Sequence, residues 1–338
     1  MQHSQGDGLE VGPQSGSGTP FTRRMRFHQS WYRARVLKVP YGTGPFEKSA
    51  TFYGNMLTKE AAKHGLNFLT PEICHIAEDR IRENDGLVEP YRLRHNMLSS
   101  QPMCFNLFGL LSTHHDLATR LFQSMIPNEI VEVMAVRIEY APAPRQEYLN
   151  DNTAFDAFVE YRRSDGSLGF LGIETKLAEP FSPRTYRYDD PRRRYKEWTE
   201  RQGAPWQPGV GTMFEVVKHN QLWRDHLLVE ALRYHPEARY KYSGGRLVLV
   251  RHPDDDVATL TVRDYCQLLV PDDTTFVDMP LDRLVNAWSS VVAGTPEQAW
   301  LAAFHARYLD LQQSEAEWNA FLSLEASLTR STKKDHTL

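Results

Sequence analysis

The stretch NTAFDAFVEYRRSDGSLGFLGIETKL, residues 152–177, contains two apolar runs separated by a short polar segment. The pair Asp165-Gly166 within that segment is a strong signal for a β-hairpin turn. We therefore predict a first strand over Phe155–Arg162 and a second over Leu168–Leu177. The two strands are expected to pair antiparallel, as neighbours in one sheet.

Charged residues gather at one end of this hairpin. Because side chains alternate across a strand, Glu174 and Lys176 lie on one face of the second strand. Folding the chain about Asp165 brings Asp156 close to Glu174, to within a residue or two of register. Charges are seldom buried without partners, so two acids and a lysine at the end of an apolar sheet indicate a binding site. Two carboxylates favour a divalent cation as the ligand.

The composition is that of a globular protein that is not generally basic. The 338 residues are enough for one large domain or two moderate ones with a sizeable core. Lys and Arg total 39 against 43 Asp and Glu, which gives a net charge of −4. Any affinity for nucleic acid must therefore come from local basic patches.

Cysteine usage and hydropathy indicate the compartment. Cys74, Cys104 and Cys266 lie far apart with no CxxC spacing, which argues against a disulfide framework and a structural zinc site. The N-terminal residues lack the apolar core of a signal peptide, and no run approaches the roughly 20 apolar residues that span a bilayer. We therefore predict a cytoplasmic protein without membrane contact.

Three regions flank the centre of the chain. Residues 1–20 are rich in Gly, Ser, Pro and Gln and are expected to be a disordered tail. Residues 21–98 are expected to form an N-terminal helical layer, and residues 253–338 a mainly helical C-terminal extension. From Phe21 to Lys38, arginines interleave with aromatic residues. This pattern suits phosphate contact with base stacking or, equally, a helix docked through its aromatic side chains.

Residues 99–252 contain a characteristic order of predicted elements. In sequence, we expect a buried helix from Ser99 to about Met125, a strand at Val131–Tyr140, the two hairpin strands, a helix capped by Thr212 and Glu215 that ends near Tyr234, and a buried strand at Arg246–Arg251. This order is α-β-β-β-α-β. A Glu-X-Lys tripeptide is common by chance, so the order of elements is the more specific signal.

With Asp156 on its second strand and Glu174-Thr175-Lys176 on its third, the segment resembles the PD-(D/E)XK, or restriction-endonuclease-like, nuclease superfamily, whose motif is an acid followed by (D/E)-X-K. The runs SSQPMCFNLFGLL and IETKLAEPFS also resemble a prokaryotic lineage of restriction endonucleases. The resemblance implies an α/β fold with an αβββαβ core and a mixed sheet, flanked by N-terminal and C-terminal helical elements. It further implies a metal-dependent endonuclease that hydrolyses phosphodiester bonds, with DNA as the expected substrate and restriction or anti-phage defence as the expected setting.

The resemblance also implies roles for individual residues. Asp156, Glu174 and the carbonyl of Thr175 would hold Mg²⁺, or Mn²⁺ in its place, since oxygen ligands suit a hard cation. Lys176 would orient or deprotonate the attacking water and stabilise charge on the phosphorus. Gln221, on the helix after the motif strand, would position water or phosphate.

One departure from the family pattern concerns the first core helix. Several branches of the family carry a Glu there, but residues 101–125 contain none. Glu139 is expected at the same end of the sheet as Asp156 if their strands pair antiparallel. It is therefore either a third metal-ligating acid or an edge carboxylate paired with Arg137 or Arg145.

Basic residues after the motif strand are candidates for holding a nucleic acid. Residues 180–208 form a long irregular segment, and its arginines either clamp phosphates or belong to a solvated loop. The candidate contacts are Arg184, Arg187, Arg192, Arg193, Arg194 and, on the following helix, Arg224. Double-stranded DNA is the expected partner, and a homodimer or a partner in a defence complex stays open.

Two other functions remain compatible with the sequence. A nuclease-like scaffold without catalysis would bind nucleic acid or assemble a defence or repair complex, although intact Asp156, Glu174 and Lys176 argue against it. A metal-independent enzyme acting on a small phosphorylated ligand would need a Gly-rich phosphate loop after a strand, and the sequence has none. Metal-dependent cleavage of plasmid DNA would separate the three.

Overall fold

The architecture is built on a five-stranded mixed sheet, seen in a computed structural model that describes residues 9–45, 51–83, 87–235 and 242–335. The strands are β1 (Tyr41–Thr43), β2 (Phe52–Leu57), β3 (Ile130–Tyr140), β4 (Phe155–Arg163), β5 (Leu168–Lys176), β6 (Tyr242–Arg251) and β7 (Phe276–Pro280). Strands β3, β4 and β5 pair antiparallel, whereas β5, β6 and β7 pair parallel, and β1 and β2 form a separate ribbon. The predicted α/β fold with a mixed sheet is therefore confirmed.

Helices cover both faces of the sheet. Those in the described ranges are α1 (Pro20–Tyr32), α2 (Lys59–Lys63), α3 (Pro71–Glu83), α4 (Pro90–His95), α5 (Ser100–Phe108), α6 (His115–Met125), α7 (Tyr195–Thr199), α8 (Val217–Tyr234), α9 (Asp256–Cys266), α10 (Leu281–Val292), α11 (Gln298–Tyr308) and α12 (Glu315–Asp335). None of these helices is both long and apolar enough to cross a membrane. Cys74, Cys104 and Cys266 are free thiols.

The two faces of the sheet bury two separate hydrophobic cores. On β5, Leu171 and Ile173 join a core with residues of α3, α5, α6, α10 and α11, whereas Phe170 joins a core with residues of α7, α8 and α9. Strand β6 contributes Val248 to the first core and Leu249 to the second. This distribution follows the alternation of side chains along each strand, and it buries the centre of β6 on both faces.

Aromatic rings fill the second core where glycine leaves room for them. A Cβ atom built on Gly172 would overlap the ring of Phe155, and one on Gly245 would overlap the ring of Phe170. Phe158 lies between these rings, with its centroid 6.1 Å from that of Phe155 and 5.3 Å from that of Phe170. The absence of a side chain on two strand residues is therefore part of the packing of this face.

The hairpin and the α-β-β-β-α-β order are present as predicted, but the first core helix is shorter than expected. The predicted helix from Ser99 to Met125 is divided into α5 and α6 by a 3₁₀ turn at Gly109–Ser112. The Ser112 hydroxyl donates to the carbonyl of Gly109 at 2.7 Å, and the Thr113 hydroxyl donates to that of Leu110 at 3.2 Å. Side chains that bond to nearby carbonyls compete with the helical backbone, which explains the break.

The start of α8 also differs from the prediction. The helix begins at Val217, and residues Gly211–Glu215 form a 3₁₀ turn instead of its capped first turn. The Glu215 carboxylate accepts a hydrogen bond from the backbone N–H of Tyr188 at 2.9 Å. The Glu215 carboxylate therefore bonds a residue far away in sequence instead of closing the predicted capping box with Thr212.

Part of the stretch expected to be a disordered tail, residues 9–19, is in contact with Arg26 and Arg33, and residues 1–8 lie outside the described ranges. Arg33 is fully buried and donates to the carbonyls of Glu10 and Val11 at 2.6 and 3.0 Å. Arg26 donates to the carbonyl of Ser15 at 2.8 Å. Residues 9–19 contain few apolar side chains, so hydrogen bonds from arginine side chains hold this segment in place of hydrophobic burial.

The basic and aromatic stretch from Phe21 to Lys38 is used inside the molecule. Arg24 pairs with Glu315 at 3.0 Å, and Arg35 pairs with Glu317 at 2.7 Å. The Trp31 indole N–H also donates to Glu317, at 3.0 Å. Of the two interpretations of this stretch, the structure supports a helix docked through its aromatic and basic side chains, here onto α12.

Candidate active site

Three strands deliver charged side chains to one end of the sheet. Tyr140 at the end of β3 pairs with Phe155 at the start of β4, which places Glu139 and Asp156 at the same end. The β4–β5 pairing, with Ala157 opposite Ile173, brings the last residues of β5 there as well. The site residues predicted from three separate segments therefore converge.

Lys176 and Glu174 form a buried ion pair that also includes Gln221 from α8. The Lys176 ammonium lies 2.9 Å from Glu174 Oε1 and donates to Gln221 Oε1 at 3.1 Å. The Gln221 amide in turn donates to Glu174 Oε1 at 2.6 Å and accepts from the backbone N–H of Ser182 at 2.9 Å. Because Gln221 bonds both charged groups, it fixes their relative positions.

Asp156 is held by the residue between the two motif charges. Its Oδ2 accepts from the backbone N–H of Thr175 at 2.8 Å and from the Thr175 hydroxyl at 2.6 Å. Both bonds go to the same oxygen of a half-buried side chain. Thr175 therefore orients Asp156, in addition to carrying the carbonyl that the family resemblance assigns to the metal.

Glu139 is buried against the first core helix. Its Oε1 accepts a hydrogen bond from Gln101 Nε2 on α5 at 2.6 Å. The proposed surface pairing is not formed, because Arg137 lies beside Glu160 at 3.7 Å and Arg145 donates to Asn152. The acid expected on the first core helix is thus replaced by a glutamine that binds an acid on the next strand.

Burial and mutual repulsion shift the acids toward their neutral forms. Burial, followed by the charge of Asp156, raises the pKa of Glu139 to about 8. The same two causes raise the pKa of Glu174 to about 7, although Lys176 opposes them. Burial lowers the pKa of Lys176, but the charges of Glu174 and Asp156 outweigh it and the net shift is upward. The lysine is therefore a cation at neutral pH.

Asp225 is a fourth acid at this site, and the sequence analysis did not identify it. It lies one helical turn after Gln221, its Oδ2 is buried, and that oxygen has no hydrogen-bond partner among the described residues. Burial and the charge of Glu174 raise the pKa of Asp225 well above its usual range. The i, i+4 spacing from Gln221 is the sequence signal that would have found it. We call Glu139, Asp156, Glu174 and Asp225 the acidic cluster.

The acidic cluster faces a cleft of about 480 Å³. Basic residues Arg145, Arg184 and Arg224 line the same cleft. Arg184 is exposed, whereas Arg224 is buried, with two nitrogens 3.0 and 2.8 Å from Asp151 Oδ2. Arg224 thus joins α8 to the loop after β3, and among the predicted nucleic-acid contacts Arg184 is the one best exposed to the cleft.

The other candidate arginines lie away from the cleft lining. Arg187 and Arg192 are exposed and pair with Asp189 and Asp190, at 2.8 and 3.0 Å. Exposed pairs of this kind contribute little stability and are easily exchanged for a phosphate. The remaining two are Arg194, paired with Glu197 at 2.5 Å, and Arg193, whose buried Nε has no partner in the described ranges.

The carboxylates of the site offer oxygen donors of the kind that a divalent cation requires. Within the described ranges, no three His, Cys, Asp or Glu side chains are arranged to hold a metal ion. The chemistry of the site is nevertheless suitable, because the four carboxylates of the acidic cluster line one cleft and the orphaned Asp225 oxygen is a hard donor. Asp156 and Glu174 are the residues that would hold the ion, with Glu139 beside them.

Sequence comparison gives one positive result. The family model described as the PD-(D/E)XK nuclease superfamily matches residues 16–310, which extends on both sides of the predicted 99–252 core. No curated protein and no solved structure shows significant similarity to the chain.

Proposed function

This chain belongs to the PD-(D/E)XK nuclease superfamily, and from that premise we propose that it is a Mg²⁺-dependent deoxyribonuclease that cuts within double-stranded DNA. The observation that carries the proposal is the Lys176 ammonium, fixed 2.9 Å from Glu174, whose carboxylate lines a cleft together with the exposed Arg184. A role in restriction or anti-phage defence is part of the same proposal, as is a cytoplasmic location.

The proposed reaction is attack of water on a phosphodiester. A divalent cation held by Asp156 and Glu174 would polarise the phosphate and lower the pKa of water. Lys176 is a cation, so it orients the attacking water instead of taking its proton, and its charge stabilises the negative charge that develops on the phosphoryl oxygens. Gln221 keeps the ammonium group in position through its bond at 3.1 Å, and Thr175 keeps Asp156 in position.

The substrate proposal rests on the charges around the cleft. Arg184 and Arg145 line it, and the ion pairs of Arg187 and Arg192 lie on the segment that follows β5. With a net charge of −4, the protein would rely on these local groups to hold a phosphate backbone. An endonuclease binding a duplex would place one strand over the acidic cluster.

The test is a cleavage assay with a matched inactive variant. Supercoiled plasmid and a structured RNA are incubated with wild-type protein and Lys176→Met in Mg²⁺, Mn²⁺ or excess chelator. We expect nicking or linearisation of the plasmid by the wild type with either metal, with neither RNA cleavage nor activity in chelator. Plasmid cleavage that survives the chelator, or that is equal in the variant, would contradict the proposal.

A second function is a nucleic-acid-binding subunit without catalysis. Two observations favour it. Glu174 Oε1 already bonds Lys176 and Gln221, and within the described ranges no three His, Cys, Asp or Glu side chains are arranged to hold a metal ion. In that case the protein would bind duplex DNA with a strong salt dependence and cut it under none of these conditions.

A further inference from the structure

Glu139 has an unusual backbone conformation for a residue within a strand. Its φ angle is 53°, in the left-handed region that side chains other than glycine rarely adopt. The pairs on either side of it, Ile138 with Ala157 and Tyr140 with Phe155, keep one register, so Glu139 lies opposite Asp156; the irregularities of this ladder lie farther away, between Ile130 and Ala135. A conformation of this kind persists only when the surroundings hold it, and such residues cluster at functional sites.

Arg80 on α3 is the group that holds it. Its Nε donates to the carbonyl of Ile138 at 2.9 Å, and its Nη2 donates to the carbonyl of Glu139 at 2.6 Å. These carbonyls belong to the two peptide planes that meet at the Glu139 Cα, so binding both to one rigid guanidinium fixes the φ and ψ angles of that residue. Successive carbonyls of a regular strand point in opposite directions, whereas here both reach one guanidinium.

The Arg80 guanidinium is held by an acidic partner, and the Glu139 carboxylate is held by a separate hydrogen bond. Arg80 Nη1 donates to Glu83 at 2.8 Å, and the Arg80 side chain is 13% exposed. Gln101 donates to the Glu139 carboxylate from α5. Glu139 is thus restrained through its backbone by α3 and through its side chain by α5.

We propose that Arg80 is a positioning residue for the nuclease reaction: it holds the left-handed Glu139 so that its carboxylate completes the cation site beside Asp156. The proposal rests on the proposed function and deepens it. It makes α3, which lies outside the predicted 99–252 core, part of the catalytic apparatus.

The test compares Arg80→Met with Arg82→Met. The first keeps the aliphatic stem and removes the donors. The second is a control on the same helix, because Arg82 is exposed and pairs with Asp79.

Two measurements are made on each: the Mg²⁺ concentration for half-maximal plasmid cleavage, and the rise in melting temperature caused by Mn²⁺ alone. For Arg80→Met we expect the first to increase about 10-fold or more, since disturbing one outer partner of a metal ligand typically weakens metal binding by 10–100-fold. We expect the Mn²⁺ effect to shrink, and Arg82→Met to match the wild type.

A double-mutant cycle separates positioning from general stability. If Arg80 acts through Glu139, Arg80→Met has little further effect in a Glu139→Gln background. The proposal would be overturned if Arg80→Met weakened the response to metal in the Glu139→Gln background as much as it does in the wild type. It would also be overturned if Arg80→Met alone kept the wild-type metal dependence, and either result would leave the nuclease assignment intact. A smaller Mn²⁺ response in Arg80→Met would support it even if no DNA is cut, and a wild type that neither cuts DNA nor responds to Mn²⁺ would overturn both. If Arg80→Met does not fold, the same measurements are made on Arg80→Lys, which keeps the positive charge but cannot donate to both carbonyls as the planar guanidinium does.

Discussion

The two ends of the central sheet both carry charged clusters, but the charges are balanced at one end and unbalanced at the other. At the end away from the cleft, Glu129 accepts hydrogen bonds from Tyr161 at 2.6 Å, Arg163 at 3.0 Å and Arg246 at 2.7 Å. We call these four residues, together with Asp165, which lies 3.9 Å from Arg163, the balanced cluster. Burial raises the pKa of Glu129, but its arginine and tyrosine partners outweigh burial and the net shift is downward.

At the cleft end, Lys176 pairs with Glu174 at 2.9 Å, and the nearby Arg224 is already paired with Asp151 at 2.8 Å. The pKa of Glu139 rises to about 8 and that of Glu174 to about 7, which is opposite in sign to the shift at Glu129. A partly buried carboxylate stays ionised where the fold supplies partner cations, as the lowered pKa of Glu129 shows. The excess of negative charge at the other end therefore indicates a place for a ligand that brings positive charge.

The largest expected effect is at the acidic cluster. Asp156→Asn or Glu174→Gln should abolish metal-dependent cleavage, because each removes a charged ligand and keeps the side-chain volume. The melting temperature of Asp156→Asn should stay the same or rise, since a negative charge is removed from a crowded site, whereas that of Glu174→Gln should fall, because the buried Lys176 loses its ion-pair partner. Plasmid cleavage and thermal unfolding are measured side by side, and full activity in either variant would show that the cation lies elsewhere.

Lys176→Met is expected to lower the cleavage rate on the order of 10²-fold or more at saturating DNA, with binding little changed. The methionine keeps most of the packing of the stem and removes the charge. If Lys176 only neutralised Glu174, the variant would lose thermal stability and keep its rate. Rate, DNA affinity and melting temperature of this one variant therefore distinguish catalysis from a structural ion pair.

The balanced cluster should behave in the opposite way. Glu129→Gln removes the anion that Arg163 and Arg246 share and leaves the exposed Asp165, 3.9 Å from Arg163, so we expect it to lower the free energy of unfolding by about 1–3 kcal/mol. Cleavage by the folded variant should equal that of the wild type. Urea unfolding and the plasmid assay give both quantities, and a loss of cleavage without a loss of stability would end the distinction between the two clusters.

The two clusters should also give opposite pH dependences in metal-free protein. The pKa of Glu129 is lowered by folding, so its stabilising contribution is present above its ordinary pKa of 4.5 and is lost as the pH falls. The pKa of Glu139 is raised, so stability falls as the pH rises from 4.5 toward about 8, by on the order of 1 kcal/mol per pH unit. Glu139→Gln should therefore be more stable than the wild type at pH 8, and the difference should shrink toward pH 5. Melting curves in chelator across this range are the measurement.

The smallest expected effect concerns the rim of the cleft. Arg184→Ala should weaken duplex binding several-fold and reduce its salt dependence by about one counterion, as expected for one lost phosphate contact. Arg187→Ala is the control, because Arg187 pairs with Asp189 and does not line the cleft. Titrations at several salt concentrations would show whether Arg184 is the more important of the two.

The fold could be predicted to a useful extent because its signals are local. The Asp165-Gly166 turn and the alternation along the strands specify the hairpin, and the hairpin brings Asp156 to Glu174. The break between α5 and α6 was missed because an apolar helical pattern continues through it. The start of α8 was misplaced because Glu215 is used by Tyr188, 27 residues away in sequence.

The supporting residues of the site could not be predicted in the same way. Arg80 acts on backbone carbonyls 58 and 59 residues away, and no sequence pattern marks such a contact. The arginines between Phe21 and Lys38 looked suited to phosphate, yet they bind acids of α12 and carbonyls of residues 9–19. Composition gives the charge of a segment, but only the tertiary structure shows whether that charge is already neutralised.

The glycines beneath the aromatic rings determine how far β4, β5 and β6 can slide along one another. A shift of two residues would preserve the alternation of faces, and hydrophobic patterning alone would permit it. It would also bring a side chain to the places where Phe155 and Phe170 lie over Gly172 and Gly245, and both rings are fully buried. Packing in the core at Gly172, two residues before Glu174, thus fixes the register of these strands. Substitution of the acids themselves should leave their spacing unchanged, so the lost chemistry can be measured on an unaltered framework.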